Sequence, residues 1–420
     1  MPNLRDVVVL QKRELESKLA ERYIERETEL PGMTSNLIKV IIGPRRAGKS
    51  FFAIHRIAKL GRFGYVNFDD ERLLDVKNYD DIINAVKTVY QNPTLLLFDE
   101  IQNLDRWEVF VNRLQRQGYN LVITGSNSNL LSRELATHLT GRHLALVIFP
   151  FSFNEYIKME RSELTKSEIK ERLFSYIRNG GYPEPIINKL DTKTYLSTLF
   201  DSIIYKDVVK RYKIRSIEGM DDLALYLISN IANEFSYSTL AKVTGCKSIH
   251  TVEKYLNYLE ETFVLFKIPR FSFKVKEQVG SNKKIYCVDN GFIHAKAFRL
   301  SPDMGKLYEN AVAIELKKLE LSGKINLYYW KSSSQEEVDF VLKQGTRIRQ
   351  LIQVCYSIDD AKTKRREVRA LVKASKETRC NNLTVITDDY EGREDSEWFG
   401  TRRKITFIPL WKWLLGKKIP

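Results

Sequence analysis

At 420 residues and 43% hydrophobic composition, the chain is long enough for two to four domains with more than one core. No run reaches the ~18 apolar residues of a membrane helix, and the start, Met1-Pro2-Asn3-Leu4-Arg5, lacks a signal-peptide core, so a soluble, cytoplasmic protein with no membrane partner is expected. Lys plus Arg number 68 against 53 Asp plus Glu, a net +15 that suits a polyanionic partner as well as plain solvated faces; Cys246, Cys287, Cys355 and Cys380 and five scattered His lack disulfide-framework or zinc spacing.

In chain order, residues 10–29 are charged and helix-prone with a sparse apolar stripe, which predicts an N-terminal helix packed on the core. Residues 37–42 form an apolar run. Gly43-Pro44-Arg45-Arg46-Ala47-Gly48-Lys49-Ser50 follows at once and matches the phosphate-loop pattern G-x-x-x-x-G-K-[ST] in a strand, loop, helix setting. In such a loop successive backbone N–H groups point at phosphate oxygens, Lys49 adds a charge at the β- and γ-phosphates, and Ser50 offers a hydroxyl to Mg²⁺. A bound nucleoside triphosphate is therefore expected. Residues 94–98, Thr-Leu-Leu-Leu-Phe, then run into Asp99-Glu100. A covered parallel strand reads as unbroken apolar sequence, and ligands of α/β sheets sit at strand carboxyl ends, which brings Asp99 beside the loop as a Mg²⁺ partner. Glu100 is placed to polarise a water as general base, a role worth about 10²–10⁴ in rate.

Strands at 37–42, 63–68, 94–98, 120–124 and 143–149 alternate with helical patterns at 51–60, 82–90, 107–117 and 129–138, implying a parallel sheet covered on both faces. From 154 to 215 the pattern is helical and polar, broken by the stiff turn Gly180-Gly181-Tyr182-Pro183-Glu184-Pro185, and reads as a lid. Residues 238–243 and 249–261, joined through Gly245, have a helix-turn-helix rhythm; 263–273 reads as a hairpin wing, with basic residues continuing through Lys274, Lys276, Lys283 and Lys284. Such a segment offers Lys247, His250, Thr251 and Lys254 to a DNA groove, or serves as a spacer or protein dock. A helix at 303–319 and strands near 326–330, 338–342, 350–355, 383–387 and 405–408 indicate a further α/β domain. Within it Lys362, Arg366, Arg369, Lys373 and Lys376 fall on one helix face opposite Val368 and Leu371, a row suited to phosphates or to solvent.

The phosphate loop, Leu97-Phe98-Asp99-Glu100-Ile101-Gln102 and Ile123-Thr124-Gly125-Ser126-Asn127, continued by Phe149-Pro150-Phe151-Ser152-Phe153-Asn154-Glu155-Tyr156 and Gly180-Gly181-Tyr182-Pro183, together resemble a prokaryotic family of AAA+-type ATPases. That family carries a C-terminal PD-(D/E)xK nuclease-like domain. The resemblance implies an α/β chain: a P-loop NTPase parallel sheet of AAA+ type, a helical lid, a winged-helix segment and a C-terminal α/β restriction-endonuclease-like domain. The expected boundaries are 1–150, 151–220, 221–300 and 301–420 in that order. ATP and Mg²⁺ are the implied ligands, the nucleotide held by residues Gly43 to Ser50 and Asp99, the metal by Ser50 and Asp99. Ser126 or Asn127 is the implied sensor of the γ-phosphate. Arg142 is the implied arginine finger, acting within the subunit or from a neighbour and worth about 10³–10⁵ in rate, with Arg133 as rival.

The family's nuclease pattern asks for an acid on the first helix, an Asp at a strand end, and (D/E)-x-K on the next strand. Glu309 and Asp339 match the first two, but the third reads Gln353-Val354-Cys355. An amide is a poorer Mg²⁺ ligand than a carboxylate and a thiol supplies no ammonium, so DNA contact without cleavage is the expectation. The leading reading is a Mg²⁺-dependent ATPase that binds or remodels DNA. The alternatives are a nucleotide-gated switch acting on protein partners, and a nuclease whose lysine comes from Lys331 or Lys343. Both a monomer and a homo-oligomer stay open.

Overall fold

The computed structural model describes residues 3–32, 35–126, 139, 141–160, 162–246, 248–298 and 303–416. It divides into two compact units, Met1–Pro150 with Glu261–Phe263, and Phe151–Glu260 with Val264–Pro420.

The first unit opens with α1 (Leu4–Ala20), whose first turn is capped by the Asn3 side chain accepting from the Arg5 N–H and whose last turn yields to extended backbone at Glu21. The helix thus lies earlier than 10–29, because a capping side chain and not the charge pattern sets its start. β1 (Ile38–Ile42), α2 (Lys49–Ala58), β2 (Gly64–Asn67), α3 (Tyr79–Tyr90), β3 (Leu95–Asp99), α4 (Trp107–Arg116), β4 (Asn120–Gly125) and β5 (His143–Val147) follow. All strand pairs are parallel, in the order β2-β3-β4-β1-β5. Every residue of β1 is buried, as are Leu96, Leu97 and Phe98 of β3. Each buried apolar side chain contributes roughly 1.5–3 kcal/mol, and because both faces are covered these strands show no alternation, Lys39 being the one charged residue of β1 and bonded to Asn120 Oδ1. The helix expected at 129–138 lies outside the described residues.

In the second unit α5 (Phe153–Ile157), α6 (Lys166–Asn179), α7 (Pro183–Ile187) and α8 (Thr192–Ser202) make up the helical segment read as a lid, and the chain continues into a π-helix, Ile203–Lys210. Next come α9 (Ile217–Ser229), β6 (Glu234–Phe235), α10 (Tyr237–Val243), α11 (Ile249–Glu261), β7 (Leu265–Pro269), α12 (Val275–Gly280) and β8 (Lys283–Cys287). The expected hairpin within 263–273 does not form. Only β7 is a strand there; its antiparallel partner is β8, reached across α12, in a sheet ordered β6-β8-β7. The backbone past Pro269 is claimed elsewhere, since Phe271 N–H donates to Tyr329 O at 2.6 Å.

α13 (Asn290–Lys296) and α14 (Met304–Leu321) lead into β9 (Asn326–Lys331), β10 (Glu337–Gln344), β11 (Arg347–Val354), α15 (Ala361–Thr378), β12 (Leu383–Thr387), β13 (Gly392–Trp398), β14 (Thr401–Pro409) and α16 (Leu410–Gly416). The strands form one six-stranded sheet, β13-β14-β12-β11-β10-β9. Segments 151–220, 221–300 and 301–420 therefore share one compact unit. Among the described residues no helix is long and apolar enough to cross a membrane, and all four cysteines are free.

Candidate nucleotide site

The phosphate loop occupies the carboxyl end of β1, where its glycines meet backbone demands. Gly43 has φ 144°, and a Cβ there would sit 2.0 Å from the Ile148 carbonyl oxygen; Gly48 has φ 91° and caps α2. The first turn of α2 holds no acidic residue, so its N–H groups and the helix dipole face the loop without an internal anion. Lys49 is buried and its Nζ donates to the Pro44 carbonyl at 2.9 Å.

Asp99 ends β3, and its carboxylate gathers hydroxyls from three strands or helices. Ser50 Oγ donates at 2.8 Å, Tyr65 OH at 3.2 Å, and the Thr124 hydroxyl of β4 also donates. Burial pushes the Asp99 carboxyl above its ordinary value and Glu100 adds to the rise, while the Thr124 and Ser50 bonds oppose it. A buried carboxylate beside a hydroxyl and lacking a full countercharge suits a small hard cation. Among the described residues no group of three or more His, Cys, Asp or Glu is arranged to hold a metal by itself. Mg²⁺ takes one or two protein oxygens and completes its shell with phosphate and water, and the Ser50 hydroxyl and Asp99 carboxylate are oxygens of that kind.

Glu100 is half-buried in left-handed backbone, φ 51°, with its N–H donating to Thr124 Oγ1 at 3.0 Å. This turn swings its side chain away from the strand line, where Gln102 Nε2 donates to Glu100 Oε2. The same amide lies 3.5 Å from Ser126 Oγ, and Gln102 Oε1 is buried with no partner among the described residues. Ser126 thus joins the site. Asn127 and Arg133 lie outside the described residues. Sequence reasoning missed Thr124 and Gln102 as site residues, although both stand inside the quoted motifs, within two residues of those assigned.

Arg142 is not at this site. It is exposed and immediately precedes β5, and its carbonyl accepts from Ile38 N–H at 3.0 Å, at the amino end of β1. The five-residue strand separates that end from the loop by about 16 Å at 3.3 Å per residue. An in-subunit finger at Arg142 is corrected by this geometry; only action on a neighbour's nucleotide remains for it.

A second cluster of charge lies in the second unit. Glu309 of α14 and Asp339 of β10 do meet, but around Lys284 of β8, whose Nζ is 2.9 Å from Glu309 Oε1, 3.0 Å from Asp339 Oδ1 and 2.5 Å from Glu337 Oε1. Burial alone would lower the Lys284 pKa, but Glu309 and the neighbouring acids outweigh it and hold the ammonium charged. Gln353 N–H groups reach Glu367 Oε2 at 2.8 Å, and its Oε1 accepts from Asp339 N–H at 3.3 Å. Lys284 is therefore not the surface cation expected of a wing. Lys331 pairs with Glu234 at 3.0 Å, and Lys343 sits at the far end of β10 opposite Asn326. In the row on α15, Arg366 pairs with Glu367, and Arg369 and Lys373 both pair with Glu336, so intramolecular partners absorb three of its five cations. Lys247 lies outside the described residues; His250 and Lys254 are exposed on α11, Thr251 half-buried.

Residues 35–157 match an AAA domain family, and residues 170–303 and 304–413 match two domains of unknown function, DUF8612 and DUF4143. The chain is 29% identical to an uncharacterised protein of Haemophilus influenzae over 81% of this chain and 89% of that protein. The Walker-type ATPase PABY2304 of Pyrococcus abyssi, a solved structure, aligns with 68% of this chain and 94% of its own at 14% identity and a TM-score of 0.42. The uncharacterised protein MJ1544 of Methanocaldococcus jannaschii is 35% identical, with 98% of this chain and 95% of that protein aligned. The AAA domain makes the chain an ATP-binding, ATP-hydrolysing protein, and similarity along nearly the whole of both sequences makes it a member of the MJ1544 family.

Proposed function

We propose that the first unit is a Mg²⁺-dependent ATP site whose turnover is coupled to engagement of DNA by the second. The observation that carries the reading is the Ser50–Asp99 contact at 2.8 Å with Lys49 beside it. Residues 43–50 wrap the phosphates with main-chain N–H groups, and Lys49 exchanges the Pro44 carbonyl for the β- and γ-phosphate oxygens. Ser50 and Asp99 would hold Mg²⁺, which would supply charge neutralisation for the leaving phosphate. Glu100 accepts the proton of the attacking water, while Gln102 and Ser126 fix where that carboxylate points. A finger, if Arg142 supplies one, comes from a neighbouring subunit of a homo-oligomer.

DNA is supported as partner by where the charge resides. Residues 1–150 hold 21 Lys or Arg against 18 Asp or Glu, so +12 of the net +15 lies in residues 151–420. The order α9-β6-α10-α11-β7-β8 supports a winged-helix reading of that segment, and α14 followed by β9, β10, β11, α15 and β12 supports a nuclease-like one. With Gln353 and Cys355 at the third motif position and Lys284 between the carboxylates, this domain contacts DNA without cutting it. One observation favours protein docking instead: α11 sets Lys254 against Glu253, Glu260 and Glu261 and so has no cationic face. The test is the ATPase rate with and without duplex, single-stranded and branched DNA, together with labelled DNA in Mg²⁺ or Mn²⁺. Stimulation without cleavage products is expected; a rate indifferent to every DNA leaves the protein-switch reading in its place.

A further inference from the structure

We propose that the π-helical turn Ile203–Lys210 and the strap after it, to Arg215, are the surface on which the phosphate backbone of duplex DNA docks. The proposal rests on the reading that the second unit engages DNA, and names the residues that do so.

Five cations, Lys206, Lys210, Arg211, Lys213 and Arg215, fall within ten residues, and all are exposed. Among the described residues none of the five has a side-chain hydrogen bond or ion pair. The contrast with α15 is direct, because there Arg366, Arg369 and Lys373 are matched by Glu367 and Glu336. The acids nearest in sequence are occupied, partly buried or unpaired with the five. Asp201 pairs with Lys296 at 2.7 Å, Asp221 accepts from Tyr205 OH at 2.8 Å, and Asp207 is half-buried. Glu218 and Asp222, exposed on α9, pair with none of the five.

Backbone geometry concentrates the charge. In a helix closed by i→i+5 bonds, positions four and five apart stack on one side, so Lys206, Lys210 and Arg211 share a face while Ile203, Ile204 and Val208 are buried on the other. π-helices account for well under 1% of residues and occur mostly as single-turn bulges inside α-helices, frequently at functional sites. Like charges at this spacing repel, so the segment is held against its own electrostatics by the buried face and by an aromatic anchor on the strap. Tyr212 stacks on Tyr258 of α11, centroids 3.7 Å apart and planes 8° from parallel, and Lys254 lies 6.0 Å above the Tyr258 ring. The stack pins the strap beside α11. A rigid, unpaired cationic ridge fits a fixed array of phosphates, whose binding is driven by release of condensed counterions.

The test measures anisotropy of a labelled short duplex against the full chain over a salt series, with Lys206, Lys210, Arg211, Lys213 and Arg215 all replaced by Ala. Affinity should fall at least tenfold at moderate salt, and the slope of log K against log salt should flatten by about 3–4. Replacing the four lysines and arginines Lys362, Arg366, Arg369 and Lys376 of α15 by Ala should change affinity less than the ridge variant does. The five side chains are exposed, so basal ATPase rate serves as the folding control, and a variant with Lys at Arg211 and Arg215 should bind as the parent. Binding by the parent with an unchanged ridge variant overturns the ridge alone. No binding of any duplex by the parent overturns the DNA reading and the ridge together, and binding only to anionic vesicles does the same.

Discussion

Each unit holds a buried lysine and a buried aspartate, and the two arrangements differ. Lys49 is held by a neutral carbonyl, 2.9 Å from Pro44 O, while Asp99 is satisfied by hydroxyls. Asp99 is met by hydroxyls and, among the described residues, by no ammonium within ion-pair distance, which under the proposed function leaves its charge for the metal. Lys284 is met by three carboxylates within 3.0 Å, and its charge is consumed inside the fold. Carboxylates around a buried ammonium are not exchanged at little cost, so Lys284 stays within the fold.

The largest effect that would break this contrast is at Lys49. Lys49→Ala should remove tight ATP binding, so titration calorimetry with Mg·ATP should give no saturable heat; a curve like the parent's would mean that the loop does not hold the phosphates. Glu100→Gln should keep the binding isotherm and lower turnover by about 10²–10⁴. Undiminished turnover would move the base elsewhere. Lys284→Met should cost about 3–5 kcal/mol in denaturant unfolding of the second unit, because breaking a buried pair leaves Glu309 and Asp339 unbalanced. A loss below about 1 kcal/mol, the size of an exposed pair, would show that the ammonium is not what balances them.

The covered strands were legible because burial on both faces leaves an unbroken apolar run, and the loop because its glycines are required by φ at Gly43 and Gly48. Lys284 was not legible beside Lys283, since only strand alternation sends one lysine out and the next inward, and neither residue type nor charge distinguishes them. β13 was missed for a similar reason. Gly392–Trp398 alternates between exposed and half-buried positions at a sheet edge, with no apolar run to mark it. The π-helix has no sequence pattern of its own. Thr124 and Gln102 were within the motifs, but the left-handed turn that brings Glu100 to them was invisible.

Asp289 sharpens the comparison as a buried carboxylate with no lysine against it. It accepts from Gly181 N–H at 2.7 Å and Gly291 N–H at 2.8 Å, tying the turn after α6 to the start of α13. Burial raises its pKa from 3.8 to about 7, more than those two bonds and the distant Lys318 lower it. Between those values the folded unit holds a proton that the unfolded chain has released. This residue's contribution is therefore full below about pH 4 and is lost as pH rises to about 7, with a slope no steeper than about 1.4 kcal/mol per unit. Asp289→Asn should remove that part of the pH dependence in unfolding curves, and an unaltered slope would show that the carboxylate stays ionised on its two N–H donors.

The smallest expected effect tests the first unit's side of the contrast. Gln102 gives Glu100 a hydrogen bond, and its own carbonyl oxygen is buried without a partner among the described residues. A bond to a charged group is worth about 1.5–3 kcal/mol, but Glu100 keeps its backbone anchor to Thr124, so a loss near the low end is expected, about tenfold in kcat. KM for ATP should stay where it is, because Gln102 touches the base and not the phosphate loop. If Gln102→Ala raised KM with kcat intact, the amide would belong to nucleotide binding, and the separation between groups that hold the triphosphate and groups that aim the water would fail.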